Sequence, residues 1–188
     1  MKKIRSFIAI PLPEHVQTYL GSVGDMWAEQ VPAQSVRWVK PHLMHATLRF
    51  LGDTEATLLP RVAALLDEVA LAHESFSLAL DHPGCFPNTK RPRVVWIGLQ
   101  GQLETAHRLK AAIDQALVLL GWEAEDRSFS PHLTIGRVQD SRQVQGFRWE
   151  AAVEPLAIPV QSVQLIESDL QRSGPVYTVR HTSALRTA

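Results

Sequence analysis

A short pattern that occurs twice is the strongest constraint on what this chain can fold into. Each copy has a histidine, any residue and a threonine, at His45–Thr47 and again at His132–Thr134. A proline precedes each copy, and each lies in an apolar run typical of a β-strand. The copies begin 87 residues apart in a chain of 188 residues, close to half its length. This placement predicts two similar lobes, each of which contributes one strand to a shared cleft.

Side-chain alternation along the two strands predicts which residues face that cleft. Residues i and i+2 of a β-strand point to the same face. In the first copy, Arg49 therefore shares the face of His45 and Thr47, and Phe50 packs behind it. In the second copy the histidine and the threonine share a face, whereas Arg137 has the opposite parity. A bulge or a twist would be needed to bring Arg137 to the cleft.

Two imidazoles and two hydroxyls on converging faces suit acid–base chemistry at a phosphorus centre. The ordinary pKa of histidine is about 6.5, so near neutral pH one ring can act as a base while the other acts as an acid. Threonine hydroxyls can donate to phosphate oxygens, and an arginine can stabilise the charge that develops there. This chemistry requires no metal and no cofactor. The alternative is that both histidines are ordinary strand residues with incidental threonines.

Other ligand patterns are weaker. His42 would make a helical His-x-x-His pair with His45, but Pro41 and the strand that follows argue against a helix there. The single cysteine, Cys85, excludes an intrachain disulfide and a zinc site with two or more thiolates. A reduced cysteine is typical of a cytoplasmic protein.

The charge balance limits the class of ligand. The chain has nineteen Lys and Arg residues and nineteen Asp and Glu residues, so the formal net charge is zero. Neutrality excludes a protein that holds long nucleic acid or an anionic membrane by bulk electrostatics, but it allows a short anionic ligand gripped by a few arginines. The apolar run 7–12 is too short for a secretory core or a membrane span. We expect a soluble, cytoplasmic protein.

Hydrophobic periodicity predicts an α+β fold of about eight strands and three helices, with no linker long enough to separate independent domains. The predicted strands cover 4–10, 36–39, 46–51, 76–80, 94–99, 132–138, 162–166 and 176–181. The predicted helices lie around 16–27, 62–69 and 103–120, and Gly121 is placed to end the third.

These motifs resemble those of the two-histidine phosphoesterases, and specifically of the bacterial and archaeal RNA 2′,3′-cyclic phosphodiesterases, once described as 2′-5′ RNA ligases. The resemblance covers nearly the whole chain. One minor departure is Met44, where leucine often precedes the first motif. Besides the two motifs, the resemblance rests on Arg5–Pro13, Leu48–Gly52, Arg91–Trp96, Phe129–His132, Glu167–Leu170 and Gly174–Tyr177.

The resemblance implies one two-lobed domain over residues 1–188, with pseudo-twofold antiparallel sheets around a central cleft and helices on the outside. It implies hydrolysis of an RNA 2′,3′-cyclic phosphate to a 2′-phosphate without a metal. His45 would donate a proton to the leaving 3′ oxygen, and His132 would be the base for water. Thr47 and Thr134 would hold the phosphate oxygens. The acid and base roles exchange in the reverse, ligating direction.

Contacts to the rest of the substrate are inferred from charge and aromatic character. Arg49 is favoured as a phosphate ligand, with Arg137 as a second candidate. Each of the others has an ordinary alternative as a solvated or core residue. These candidates are Lys90, Arg91 and Arg93 for the RNA backbone, and Phe7 and Phe129 for stacking on a base.

Three functions remain open at this point. The leading one is a cyclic phosphodiesterase for RNA ends, including tRNA fragments and cyclic nucleotides, that works as a monomer without a membrane or an obligate protein partner. The second is a related phosphodiesterase for another small cyclic ester or for a 2′-5′ linkage, since a fold does not fix a substrate. The third is a non-catalytic nucleotide-binding module.

Overall fold

The computed structural model describes residues 2–126, 128–150, 152–172 and 174–187, which form nine β-strands and three α-helices. The α+β prediction is confirmed. The strands are β1 (Lys3–Pro11), β2 (Val36–Trp38), β3 (His45–Glu55), β4 (Phe76–Phe86), β5 (Val94–Gly101), β6 (His132–Val138), β7 (Ala157–Val160), β8 (Ser162–Gln171) and β9 (Gly174–Ala184). The helices are α1 (Glu14–Ala28), α2 (Leu59–Leu71) and α3 (Leu103–Leu119).

Most strands extend beyond their predicted ends, and the clearest differences from the sequence-based expectation are in β7 and β4. The short strand β7 was not predicted, because its four residues include Pro159 and give little alternation. Strand β4 continues past Pro83, where the sequence predicts a turn, because a register shift between Leu80 and Pro83 accommodates the proline. Gly121 has φ 100° and follows α3, as predicted for a helix end.

The sheet consists of two halves that meet at the motif strands. Its strand order is β7-β4-β5-β6-β3-β1-β8-β9, with β2 paired to β6, and every pairing between these strands is antiparallel. The two central strands, β3 and β6, share one residue pair, Ala46 with Leu133. The two predicted lobes are thus joined into one curled sheet at the two histidine motifs.

The helices cover the face of the sheet that is opposite to the motif side chains. Helix α1 packs on β2 and β6, α2 packs on β8 and β9, and α3 packs on α2 and β3. One core cluster contains buried residues of both halves, among them Ile8, Leu48, Leu133 and Ile158. Within the described residues, no helix is long and apolar enough to cross a membrane.

Candidate active site

The two motifs lie side by side on antiparallel strands, where Ala46 pairs with Leu133. Both of these residues are buried in the core, at 2% and 0% exposure. Because neighbouring residues of a strand point to opposite faces, the histidines and threonines on either side of the pair lie on the open face. Antiparallel pairing also places the histidine of each motif level with the threonine of the other. The four motif side chains therefore surround one small area of the cleft.

Both motif rings are oriented by the same backbone contact. His45 Nδ1 lies 2.8 Å from the carbonyl oxygen of Leu43, and His132 Nδ1 lies 2.8 Å from the carbonyl oxygen of Ser130. A carbonyl oxygen can only accept a hydrogen bond, so each Nδ1 carries the hydrogen. This contact leaves Nε2 of each ring as the nitrogen available for proton exchange with a ligand.

Aromatic rings from β1 and β9 pack against His45. Phe7 of β1 stacks on it with centroids 4.6 Å apart and an interplanar angle of 26°. Tyr177 of β9 meets the same ring edge-on at 5.5 Å, and also contacts Phe7 at 5.1 Å. The imidazole is thus fixed by packing on one side and by its Nδ1 bond on the other.

His132 has a different aromatic surround. Phe86 of β4 meets it edge-on at 5.1 Å, and Trp96 of β5 lies at 6.3 Å. The Trp96 ring lies across the backbone of Gly84, where an added Cβ would be 2.4 Å from a ring carbon. Gly84 therefore gives the indole room beside His132.

A bulge places Arg137 on the cleft face. Strand β5 pairs Val95 with Gly136 but Trp96 with Thr134, so Ile135 is the extra residue on β6. The bulge reverses the alternation after the threonine, and Arg137 is exposed on the side of the motif. Sequence reasoning identified this requirement, and the structure meets it.

An equivalent bulge in the first motif turns Arg49 away from the cleft. Strand β1 pairs Ile8 with Arg49 but Ala9 with Thr47, so Leu48 is the extra residue. Arg49 is only 8% exposed and points towards α3 and the segment that follows it. The prediction that it shares the face of His45 and binds phosphate is therefore wrong.

The same bulge exposes Phe50, which was expected to pack behind the strand. Its ring is 60% exposed and lies 6.0 Å from Phe7, on the cleft side. In each motif the cleft residue after the bulge is three positions beyond the threonine. Phe50 of the first half and Arg137 of the second are thus structural counterparts.

The two residues proposed for base stacking, Phe7 and Phe129, lie in different environments. Phe7 is 2% exposed and contacts three rings, so it supports His45 instead. Phe129 packs edge-on against His107 of α3 at 5.3 Å, with the ammonium of Lys110 6.0 Å from its ring centre. The burial of Phe7 contradicts its predicted contact with a base, whereas Phe129 is only partly buried and its base contact stays a prediction.

The basic loop before β5 lies at the rim of the second half. Arg93 is exposed, and its backbone N–H donates to the carbonyl of Phe86 at 2.7 Å. Its own carbonyl accepts from the N–H of Val138 at 2.9 Å, which anchors the loop to the end of β6. Lys90 and Arg91 lie in the same loop, before Arg93. A role of this loop in binding RNA stays a prediction.

Comparison with known proteins identifies the family. The model of the 2′-5′ RNA ligase superfamily matches residues 14–172. The chain belongs to this superfamily. A Methanothermobacter thermautotrophicus member named RNA 2′,3′-cyclic phosphodiesterase is 32% identical over 180 residues, 94% of this chain and 96% of its own length. A Thermus thermophilus member of the same name is 33% identical, covering 97% of this chain and 91% of that protein.

Solved structures of the superfamily share the fold. The Thermus thermophilus protein TT0787 superposes with a TM-score of 0.85 at 32% identity, over 97% of this chain and 98% of that one. E. coli LigT in complex with 3′-AMP superposes with a TM-score of 0.75 at 26% identity, again over 97% and 98%. The resemblance seen in the sequence and the fold that it implies are both confirmed.

Several cleft residues of this superfamily member were not singled out from the sequence. Tyr177 and Trp96 lie inside segments that carried the family resemblance, so their positions could have been considered. Phe50 and Phe86 could not be placed on the cleft by alternation, since a bulge precedes the first and the second follows an interrupted part of β4.

The environment of His45 changes its acidity. Burial lowers the pKa of His45 below the ordinary value, and the positive charge of Arg137 lowers it further, whereas the hydrogen bond to the Leu43 carbonyl acts in the opposite direction. At neutral pH the ring of the free protein is therefore mostly uncharged.

We expect Arg137→Gln to raise the pKa of His45, because the variant removes a positive charge that disfavours the imidazolium. The measurement is an NMR titration of the His45 ring in the free protein. Arg142→Gln is the matched control, since Arg142 is paired with Asp140 on the surface. A His45 pKa that is the same in wild type and Arg137→Gln would contradict the proximity of the two groups.

Proposed function

We propose that this chain hydrolyses RNA 2′,3′-cyclic phosphate ends to 2′-phosphates by acid–base catalysis between two histidines. The observation that carries the proposal is the meeting of the two motifs, each with Nδ1 bonded to a backbone carbonyl and Nε2 left for proton exchange. Relatives about 30% identical over most of the chain bear the name of this activity, which supports the same substrate class.

In the proposed reaction, water attacks the phosphorus atom while the bond from phosphorus to the 3′ oxygen breaks. His132 Nε2 takes a proton from the water, and protonated His45 Nε2 gives a proton to the 3′ oxygen. One oxygen–phosphorus bond forms and one breaks, and the 2′ oxygen keeps the phosphate. Exchange with solvent restores both rings before the next turnover.

The other cleft groups are assigned to the charge on the phosphate. The hydroxyls of Thr47 and Thr134 stand beside the two rings and can each donate to a non-bridging oxygen. Arg137 supplies a permanent positive charge on the same face. These groups hold the phosphate between an acid and a base without requiring a metal ion as Lewis acid.

The lowered pKa of His45 fits its role as proton donor in one respect and limits it in another. A weaker hold on its proton makes protonated His45 a stronger acid towards the 3′ oxygen. Fewer free molecules carry that proton at neutral pH. A bound phosphate anion offsets the charge of Arg137 and favours the protonated ring, so substrate itself recruits the acid form.

The proposal extends to the setting in which the enzyme works. We propose a single two-lobed domain, since residues of both halves share one core cluster. We also propose that it works as a cytoplasmic monomer on the ends of cleaved cellular RNA, with tRNA fragments and cyclic nucleotides as suitable substrates. With the 5′-hydroxyl of a second RNA in place of water as the nucleophile, the same residues would join it to a cyclic phosphate end, forming a 2′-5′ linkage as the bond to the 3′ oxygen breaks.

Incubation with 2′,3′-cyclic AMP in excess EDTA tests the proposal. The expected product is 2′-AMP, formed at the same rate with and without EDTA. Formation of 3′-AMP would contradict the assigned leaving oxygen. Tight binding of AMP with no turnover would identify a nucleotide-binding module instead, and cleavage of 2′-5′ but not cyclic substrates would identify a different phosphodiesterase.

A further inference from the structure

A small pocket beside His45 takes no part in the chemistry described above. Its volume is about 180 Å³, and His45 and Tyr177 form part of its wall. The pocket extends from the reaction centre towards the end of β1 and the start of α1. The pocket therefore adjoins the position proposed for the reacting phosphate.

We propose that this pocket holds the base of the terminal nucleotide, an inference that rests on the proposed function. Sites for drug-sized ligands usually measure about 300–1,000 Å³, so 180 Å³ suits one ring system and not a longer oligonucleotide. The floor is apolar: Leu12 and Ile166 are buried, and Val179 is 51% exposed on the cleft side. A flat, weakly hydrated ring gains most from such a surface.

The rim of the pocket provides polar groups for the edge of a base. Gln17 of α1 and Gln164 of β8 each carry an amide that can both donate and accept, and His42 adds a ring nitrogen. Single-stranded RNA is read by hydrogen bonds of this kind to unpaired base edges.

The charge of the lining also favours a base over a phosphate. Among the described residues that line the pocket there is no Asp, Glu, Lys or Arg. A neutral base loses little hydration free energy when it enters the pocket. A second phosphate would lose much more, and no Lys or Arg side chain of the lining would compensate for that loss. The basic groups lie elsewhere on the cleft, at Arg137 and in the loop that contains Arg93.

The exposed ring of Phe50 is the competing platform. It stands on the same face but farther along β3, and pairs with Phe7 at the other side of His45. A base stacked on Phe50 would leave the pocket empty. Substitutions in the pocket should affect recognition of the base only if the base lies in the pocket, and substitution of Phe50 should affect it only if the base stacks on Phe50.

Val179→Trp, which fills the pocket, tests the proposal. The measured quantity is the ratio of kcat/KM for 2′,3′-cyclic AMP to kcat/KM for methyl riboside 2′,3′-cyclic phosphate, which lacks a base. We expect Val179→Trp to lower this ratio about tenfold to a hundredfold, since the base loses its stacking surface. Val176→Trp is the matched control, because Val176 lies on the same strand, is 43% exposed and does not line the pocket. It should leave the ratio unchanged.

Gln164→Ala is a second variant that leaves the pocket open. We expect it to change the order of kcat/KM among the four 2′,3′-cyclic nucleotides, because one amide that contacts the base edge is removed. An unchanged ratio in Val179→Trp, together with a ratio that falls in Phe50→Ala, would overturn the proposal and place the base on Phe50.

A binding measurement separates failure of this proposal from failure of the proposed function. Calorimetry with 2′-AMP and with ribose 2-phosphate reports the contribution of the base without any turnover. One outcome is that the wild-type protein turns over neither cyclic substrate but binds 2′-AMP more tightly than ribose 2-phosphate, and that Val179→Trp abolishes this preference. The proposed function would then be wrong and the pocket assignment would hold. If turnover is normal and wild type binds both ligands equally, the pocket assignment is wrong.

Discussion

His45→Ala and His132→Ala are each expected to lower kcat/KM for 2′,3′-cyclic AMP by about 10²–10⁴-fold. Each variant removes a group that moves a proton in the transition state, and a positioned acid or base contributes an acceleration of this size. The double variant should lose much less than the product of the two single losses, because the two rings act on one bond exchange. Steady-state assays of the three proteins test this expectation.

His73→Ala is the control for loss of an imidazole. His73 Nδ1 also lies 2.8 Å from a backbone carbonyl, that of Val69, but the residue follows α2 on the other side of the sheet. It should keep the activity of the wild type. Wild-type activity in either cleft variant would show that its histidine is not part of the catalytic pair.

Arg49→Met is expected to destabilise the protein by about 3 kcal/mol, without loss of activity per folded molecule. Arg49 Nη1 lies 3.0 Å from Glu125 and 3.8 Å from Asp114, and its Nη2 donates to the carbonyl of Glu123 at 2.6 Å. Removing one partner of a buried ion pair costs about 3–5 kcal/mol, and the lower end applies because the Glu125 side chain is 35% exposed and Lys110 still pairs with Asp114. Urea unfolding measures the change in free energy.

The control for charge removal is Arg142→Met. Arg142 forms an ion pair with Asp140 at 3.1 Å, but its side chain is 88% exposed, so the urea midpoint should not move. A stable Arg49→Met protein with greatly reduced kcat/KM would contradict the structural role of Arg49. It would restore this residue as a phosphate ligand.

The sequence was sufficient to predict the parts of the molecule that follow from local periodicity. Residues 103–120 have apolar side chains at helical spacing, and α3 buries Leu109, Ile113 and Leu117. The two motifs could be placed on strands because each alternates between polar and apolar residues. Their meeting followed from the spacing of the two copies and from the family resemblance.

Side-chain direction beyond the motif threonines could not be predicted in the same way. A bulge adds one residue to a strand, and everything after it changes face. Alternation alone therefore placed Arg49 in the cleft and Phe50 in the core, and both positions are reversed. For Arg137 we could state that a bulge was required, but no residue type in the sequence indicated that the bulge exists. Such bulges depend on the pairing with β1 and β5, which are distant in the chain.

Equivalent bulges in the two halves bear on which bond of the cyclic phosphate the enzyme breaks, the one to the 2′ oxygen or the one to the 3′ oxygen. A cleft with perfect twofold symmetry would accept a cyclic phosphate in either of two orientations and would release the 2′ and 3′ oxygens equally often. At matching positions, however, one half places an apolar ring, Phe50, and the other a cation, Arg137. We expect this difference to favour one of the two orientations of the substrate. We therefore expect regioselectivity in a duplicated site to depend less on the two matching motifs than on the first cleft-facing residue that differs after them.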